Sequence, residues 1–219
     1  MAGSAALAVA GCGGSDKKAA PARSAPARSA PGAVTIDFAD GDVAVVNFAY
    51  ALEQLEAAFY AQVNQTPAAD LSRDARRTLL AIGDHERVHA AFFKEVLGKA
   101  GISALEPDFG DVDFSDGKAV LKTAQAFEDL GVSAYNGAGQ FLDGKSKLGL
   151  APLQVAGEIV SVEARHASAI RTLLHGDSSG AFAPEPFDEA RLPGEVLEMA
   201  SPYLKTHVRL RNAPKAART

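Results

Sequence analysis

Two short segments of the chain could bind metal ions, because each places a carboxylate and an imidazole three residues apart. They are Glu86-x-x-His89 and Glu163-x-x-His166. Residues three apart lie on the same face of an α-helix. In both segments apolar residues recur at helical spacing, and the Glu and His fall on the apolar stripe. Each pair is therefore predicted to point towards a protein core.

A helical segment with a Glu and a Tyr seven residues apart precedes each of these pairs. Glu53 and Tyr60 precede the first pair, and Glu128 and Tyr135 precede the second, at nearly the same separation in sequence. A Glu followed by Glu-x-x-His, twice over, is the ligand pattern of a carboxylate-bridged two-metal site in a four-helix bundle. The predicted metal ligands are Glu53, Glu86, His89, Glu128, Glu163 and His166.

The charge of this ligand set matches two divalent cations. An isolated carboxylate costs several kcal/mol or more to bury, so four of them at core positions require compensation. Two divalent ions would neutralise the four carboxylates, and neutral imidazoles add no charge. Two Glu can bridge the ions, while the other two Glu and the two His cap the ends. Carboxylate and imidazole together suit iron or manganese better than the Cys and His sites usual for zinc.

Three further side chains are expected beside the metal ions. Glu56 shares the inward stripe of Glu53. We assign the ligand to Glu53, whose relation to Tyr60 is repeated in the third helix, and Glu56 is then an additional ligand or a neighbouring carboxylate. Tyr60 and Tyr135, each two turns from the Glu of its own helix, are expected to donate hydrogen bonds to the ligands or to pack against them.

Other residues near the pattern have simpler interpretations. Gly131 in the third helix either leaves room for a small ligand such as O2 or peroxide, or allows close helix packing. His85 is expected to be a solvated helix residue rather than a ligand. His175, at a helix end, and His207 are expected at the surface.

Four long helices are needed to position these residues. The predicted helices cover about residues 42–64, 72–100, 116–142 and 152–175, with a short fifth helix over 193–204. Gly101 is the expected stop of the second helix, Asp116 the N-cap of the third and Pro152 the first turn of the fourth. Residues 102–117 form a long crossover, which joins parallel neighbours. No hairpin or alternating run predicts a sheet, so the predicted fold is all-α.

The remaining segments lie outside this predicted bundle of residues 34–204. Residues 13–33 are rich in Ala, Pro and Ser and are predicted to be a disordered linker. Residues 205–219 are expected to form a basic, frayed tail. Residues 1–12 resemble the end of a bacterial lipoprotein signal, in which Val9-Ala10-Gly11-Cys12 matches the lipobox and Cys12 is the lipidated residue. Because this stretch is short and lacks a positive start, Met1 is expected to lie inside a longer signal.

Composition narrows the classes of partner. The net charge is −5, and the linker is basic, so the bundle itself is acidic and has no basic stripe for nucleic acid. The single cysteine excludes an intrachain disulfide. After Cys12 no stretch is apolar for long enough to cross a bilayer, so a lipid is the expected membrane attachment. Export to the cell envelope or periplasm follows, and a homodimer is one state that the sequence leaves open.

Several motifs together resemble the ferritin-like superfamily. Asn47 to Tyr60, Asp84 to His89 and Glu163 to His166 are similar to the ferritin-like domain group that includes desiccation-related proteins, as is the ending around Phe187-Asp188 and Pro193 to Leu197. The resemblance implies a four-helix bundle with a short fifth helix, frequent export in bacteria and the six ligands named above. It implies no single reaction, since the superfamily includes several.

Two functions from different classes follow as hypotheses. The first is a lipid-anchored protein that binds two iron or manganese ions and uses O2 or H2O2, as a ferroxidase or a peroxide-removing enzyme. The second is a non-catalytic bundle with a stress-protective or scaffolding role, in which metal is structural or absent. The sequence alone does not choose between them.

Overall fold

The computed structural model describes residues 32–145, 148, 151–176 and 180–215. The predicted signal of residues 1–12, including Cys12, and nearly all of the predicted linker lie outside the described residues. Five α-helices and two short strands follow in chain order: β1 (Val34–Asp37), α1 (Asp42–Gln65), α2 (Arg73–Leu97), α3 (Gly117–Gly139), α4 (Pro152–His175), α5 (Pro193–Ala200) and β2 (Val208–Arg211).

Local capping explains where the helices start. Ser72 precedes α2, and its hydroxyl accepts the backbone N–H of Ala75. Asp116 precedes α3 and accepts the N–H groups of Lys118 and Ala119, which confirms the predicted N-cap. α4 begins with Pro152, as predicted from the absence of an N–H group in proline.

The helix ends differ from the predicted ends by one short turn. α2 stops at Leu97 because Gly98 adopts a φ of 50°, and residues 98–100 continue as a 3-10 turn before Gly101. α3 ends at Gly139 rather than at residue 142. α5 ends at Ala200 and is likewise followed by a 3-10 turn. These tighter turns satisfy the last carbonyls of each helix without extending it.

The four long helices form two packed pairs, α1 with α2 and α3 with α4. The N–H of Gly117, where α3 starts, donates to Asp70, just before α2. The N–H of Asp143, beyond the end of α3, donates to Asp42 at the start of α1. α3 therefore runs parallel to α2 and antiparallel to α1. The predicted crossover is confirmed, but the expectation that it joins neighbours is wrong: among the described helices, α2 and α3 make at most slight contact.

The crossover between α2 and α3 is held by the C-terminal segment. The N–H of Lys205 donates to the carbonyl of Glu106, and the N–H of Asp108 donates to the carbonyl of Tyr203. The buried hydroxyl of Thr206 accepts the N–H of Glu106 at 2.7 Å. These hydrogen bonds satisfy backbone groups of the crossover. The crossover can therefore pack against the bundle although it forms no helix of its own.

A small parallel sheet corrects the prediction for the tail. β1 pairs with β2, with Val34 opposite Val208 and Ile36 opposite Leu210. Val34, Ile36 and Val208 are buried. The predicted frayed tail of residues 205–219 is therefore wrong as far as Arg211, although the fold remains mainly helical. Each strand has only four residues, which is too short for alternation to stand out in the sequence.

Aromatic side chains join α1, α3 and the crossover in the core. Phe59 is fully buried, and its ring lies 5.0 Å from that of Phe127 and 5.8 Å from that of Phe109, centroid to centroid. These edge-on contacts join α1, α3 and the crossover. None of the described helices is both long and apolar enough to span a bilayer.

Candidate metal centre

Each long helix of the bundle carries one Glu with no exposed surface. These four residues are Glu53 in α1, Glu86 in α2, Glu128 in α3 and Glu163 in α4. The apolar stripes of the helices face inward, and the Glu side chains lie on those stripes near the middle of each helix. Burial of four carboxylates in one place is unfavourable unless cations or hydrogen bonds compensate them.

The first candidate ligand group surrounds His89 of α2. Its Nδ1 atom lies 3.3 Å from Glu53 Oε2, 3.3 Å from Glu86 Oε2 and 3.1 Å from Glu163 Oε1. One ligand atom from each of the four residues lies within 4.8 Å of the others. Three carboxylates and one imidazole therefore face a common point.

The second candidate ligand group surrounds His166 of α4. Its Nδ1 atom lies 2.9 Å from Glu86 Oε1 and 3.4 Å from both Glu128 Oε2 and Glu163 Oε2. These four residues also place ligand atoms within 4.8 Å of one another. The second group has the same composition as the first.

The two groups share Glu86 and Glu163. Glu86 directs Oε2 towards His89 and Oε1 towards His166, and Glu163 directs Oε1 towards His89 and Oε2 towards His166. A carboxylate with one oxygen in each group is placed to bridge two ions. Glu53 and Glu128 each belong to one group only, as a terminal ligand would.

Buried atoms without hydrogen-bond partners indicate whether this cluster could accommodate a metal ion. Among the described residues, six atoms of the ligand set are buried without a hydrogen-bond partner: Glu53 Oε2, Glu86 Oε1, Glu128 Oε2, both carboxylate oxygens of Glu163, and His166 Nδ1. Buried polar atoms are rarely left without partners in folded proteins. Carboxylate oxygens and imidazole nitrogens are ligands for divalent cations such as iron and manganese. The residues present therefore fit a divalent metal.

The sequence model of the ferritin-like domain family matches residues 41–176. This range contains α1 to α4 and all six candidate ligands. The chain belongs to the ferritin-like domain family. No curated protein shows a significant match to the sequence. Family membership agrees with the observed bundle and with a buried Glu and His cluster that can bind metal, and it assigns no reaction.

The tyrosines of this ferritin-like bundle contact the carboxylates crosswise. Tyr60 of α1 donates a hydrogen bond to Glu128 of α3, and Tyr135 of α3 donates one to Glu53 of α1. Each Tyr lies two helical turns, about 11 Å along the axis, from the Glu of its own helix and contacts the Glu of the other helix instead. Because α1 and α3 are antiparallel, each Tyr comes level with the opposite Glu. Burial raises the pKa of both tyrosines well above the usual value, so both hydroxyls keep their protons.

Glu56 is a fifth buried Glu among the described residues, and it lies outside both ligand groups. Burial, followed by repulsion from Glu163 and Glu86, raises its pKa well above the usual value. The structure thus separates the two glutamates that the sequence left ambiguous, with Glu53 inside a group and Glu56 beside it. A Cβ atom at Gly131 would lie 3.1 Å from Glu56 Oε1. Gly131 therefore makes room for this carboxylate where α1 packs against α3, and room for a small ligand there stays a prediction.

His85 is exposed, in agreement with its predicted solvation, but it also contacts the cluster. Its Nδ1 atom lies 2.8 Å from Nε2 of His166, and the two rings meet edge to edge with centroids 5.1 Å apart. Sequence reasoning missed this contact, although the position of His85 directly before Glu86 was a signal. His175 and His207 are exposed, as expected.

In the metal-free protein the imidazoles carry the compensating charge. Burial lowers the pKa of His89 and His166, but the carboxylates close to both rings outweigh it and raise the pKa to about 12 and about 11. Burial raises the pKa of Glu86, whereas the two imidazoles outweigh it and lower the pKa to about 2. The pKa of Glu128 rises to about 8, mainly through burial. Protons thus occupy the cluster where cations would otherwise bind.

Proposed function

We propose that this ferritin-like bundle binds two iron or manganese ions and uses them in oxidation chemistry with O2 or H2O2, as a ferroxidase or a peroxide-removing protein. The observation that carries the proposal is the pair of overlapping ligand groups joined by Glu86 and Glu163, with unpaired oxygens directed into both. Glu86 and Glu163 would help to hold two ions side by side, and such a pair would supply a site for a small oxygen species.

The protein's own contribution is to hold and orient this centre. When bound, redox-active ions supply the electrons for reduction of O2 or peroxide. Glu86 and Glu163 fix the separation of the two positions, and the hydroxyls of Tyr60 and Tyr135 orient the terminal carboxylates. The buried setting excludes bulk water, which strengthens the interactions of every charge inside it.

The proposed location is the bacterial cell envelope. Val9 to Cys12 resembles a lipobox, and the Ala, Pro and Ser composition of residues 13–33 suits a flexible tether between a lipid on Cys12 and the bundle. The motifs shared with the group that includes desiccation-related proteins support a role in oxidative or desiccation stress. A chain produced with its own leader should carry a lipid on Cys12, and Cys12→Ser should release it from the membrane fraction.

A second candidate function is a stress-protective or scaffolding bundle in which metal is structural or absent. It is favoured by the imidazoles, because His89 and His166 are positioned to compensate the carboxylates when protonated. In that case the metal-free protein should be as stable as the metal-treated protein. Neither ferrous iron nor peroxide should then be consumed.

Elemental analysis of the full chain, purified without chelator or affinity metal, tests the proposal directly. About two iron or manganese ions per chain are expected, followed by oxidation of added ferrous iron or removal of peroxide. Two ions without turnover would support a structural metal. No metal after anaerobic reconstitution would overturn the metal proposal and leave the scaffolding function.

A further inference from the structure

One imidazole of the cluster is hydrogen bonded to a residue at the surface. His166 is 5% exposed and directs Nδ1 towards Glu86, Glu128 and Glu163. Its other nitrogen, Nε2, lies 2.8 Å from Nδ1 of the exposed His85. The ring planes differ by 22° and the centroids lie 5.1 Å apart, so the nearly coplanar rings meet edge to edge through this hydrogen bond, which orients the ring of His166.

The direction of this hydrogen bond follows from the ligand geometry. A metal at the second group would take the lone pair of Nδ1 of His166, which leaves the proton on Nε2. Nε2 then donates to Nδ1 of His85, which must present a lone pair and carry its own proton on Nε2. A partner that accepts from the remote nitrogen of a ligating imidazole holds the ring in place and makes it a stronger ligand.

The first group has no equivalent partner among the described residues. The residue before Glu163, at the position that corresponds to His85, is Val162, whose side chain cannot accept a hydrogen bond. Within the described part of the chain, the polar contacts of His89 with the carboxylates are all made by Nδ1, and Nε2 makes no hydrogen bond. The two ligand groups are therefore alike in their ligands and unlike in the support behind their imidazoles.

We infer that His85 is a positioning residue for His166 and that it makes the second group, Glu86, Glu128, Glu163 and His166, the tighter of the two metal positions. This inference rests on the proposed function, because it requires that the bundle bind two ions. Loss of such a partner typically weakens metal binding by about 10- to 100-fold. The effect is expected at one position only.

The experiment is a Co²⁺ titration of the metal-free full chain, followed by visible absorption and calorimetry. The parent should bind two ions in two steps of different affinity. His85→Phe keeps an aromatic ring at this position but removes the acceptor, and it should weaken the tighter step by about 10- to 100-fold. His85→Asn, with an acceptor at similar reach, should restore most of the affinity. His207→Phe, which alters an exposed His outside the cluster, is the matched control.

Each outcome has a separate meaning. If the parent binds no Co²⁺, the proposed function and the inference both fail. If the parent binds two ions with one affinity, or if His85→Phe changes neither step or both equally, the inference alone fails. If His85→Asn binds the tighter ion no better than His85→Phe does, the inference also fails, because the hydrogen-bond acceptor would then be irrelevant. Circular dichroism should show equal helical content in all variants.

A measurement on the parent gives an answer independent of any variant. In Zn²⁺-loaded protein, long-range ¹H–¹⁵N spectra of the imidazoles should show His85 protonated on Nε2 and His166 protonated on Nε2. A His85 ring protonated on Nδ1 would overturn the inference, since that nitrogen could not accept the hydrogen bond.

Discussion

The half of the bundle formed by α1 and α2 and the half formed by α3 and α4 contribute the same side chains in the same order. The first half supplies Glu53, Tyr60, Glu86 and His89, and the second supplies Glu128, Tyr135, Glu163 and His166. In both halves the Tyr lies two turns after the first Glu and contacts the Glu of the other half. Neither half is complete, because each ligand group takes residues from both.

Beside the shared ligands and tyrosines, the halves differ at two positions next to the cluster. Three residues after the first Glu, one half has the buried Glu56 and the other has Gly131, against which Glu56 lies. Directly before the second Glu, one half has His85 and the other has Val162. Under the proposed function, the shared residues would set how many ions the cluster holds, and the unshared ones would make the two positions differ.

The largest expected effect comes from removing a bridging carboxylate rather than a terminal one. Glu86→Gln removes a ligand from both groups and should abolish binding of both ions. Glu53→Gln affects the first group only and should leave about one ion per chain. Elemental analysis after reconstitution distinguishes the two variants. Equal metal content in Glu86→Gln and the parent would contradict the ligand assignment.

The pH dependence of the stability of the metal-free protein tests the charges on the buried His and Glu residues that both halves contain. His89 and His166 stay protonated in the folded protein up to about pH 12 and about pH 11, whereas unfolded His loses its proton near pH 6.5. Their stabilising contribution is therefore complete below pH 6.5 and decreases as the pH rises towards 11. The raised pKa of Glu128, about 8, also lowers the stability of the fold as the pH rises from about 4.5 to 8.

We therefore expect the Tm of metal-free protein to fall by about 5 °C or more between pH 6 and pH 9. Glu86 acts in the opposite sense only in acid, because its pKa of about 2 stabilises the fold above pH 4.5 and that contribution is lost towards pH 2. Metal-loaded protein should not share the alkaline loss, since the ions replace the protons. Calorimetric scans of both forms provide the measurement, and a pH-independent Tm without metal would contradict the proposed charges.

A smaller effect, on stability, is expected at the position where one half has Glu56 and the other has Gly131. Gly131→Ala places a Cβ atom 3.1 Å from Glu56 Oε1, so the buried carboxylate must shift, and the variant should be less stable than the matched control by about 1–3 kcal/mol. Gly157→Ala is the matched control, because a Cβ atom there meets nothing within 4 Å. That substitution in α4 should stabilise by about 0.5–1 kcal/mol.

Chemical denaturation of the parent and the glycine variants gives these free energies. In a Glu56→Ala background the cost of Gly131→Ala should largely disappear, since the carboxylate it approaches is gone. An unchanged cost in that background would show that Gly131 serves helix packing instead.

The smallest effect concerns the crossed tyrosines. Tyr60→Phe removes the donor to Glu128, so it should weaken the second metal position by about 10-fold, although Tyr60 lies in the first half. Tyr135→Phe should weaken the first position through Glu53 by a similar factor. Stepwise metal titration resolves the two steps. If each Tyr variant instead weakened the metal position whose terminal Glu lies in its own half, the crosswise hydrogen bonds would not determine the affinities.

Much of the bundle follows from sequence because helical periodicity acts locally. Pro152 and Asp116 mark helix starts within one residue, and the apolar stripes show which Glu and His side chains face inward. Repetition of one pattern in both halves then indicates that those side chains meet. The chemistry of the cluster is predictable because four carboxylates at matched core positions require cations to compensate their charge.

What the sequence did not show depends on contacts between segments far apart in the chain. The crossing of Tyr60 and Tyr135 needed the relative directions of α1 and α3. The contact of His85 with His166 needed the distance across the α2 and α4 interface. The pairing of β1 with β2 joins the two ends of the described bundle, and neither four-residue strand carries a signal by itself.

Glu56 gives the cluster a fifth buried carboxylate, and under the proposed function this side chain would respond to the charge of the metal ions. Four ionised carboxylates would balance two divalent ions, so Glu56 would be protonated beside the reduced pair. Burial raises its pKa, which favours that protonated form. Loss of one electron from one ion to O2 or peroxide would then favour release of one proton from Glu56, because the ionised carboxylate balances the added positive charge.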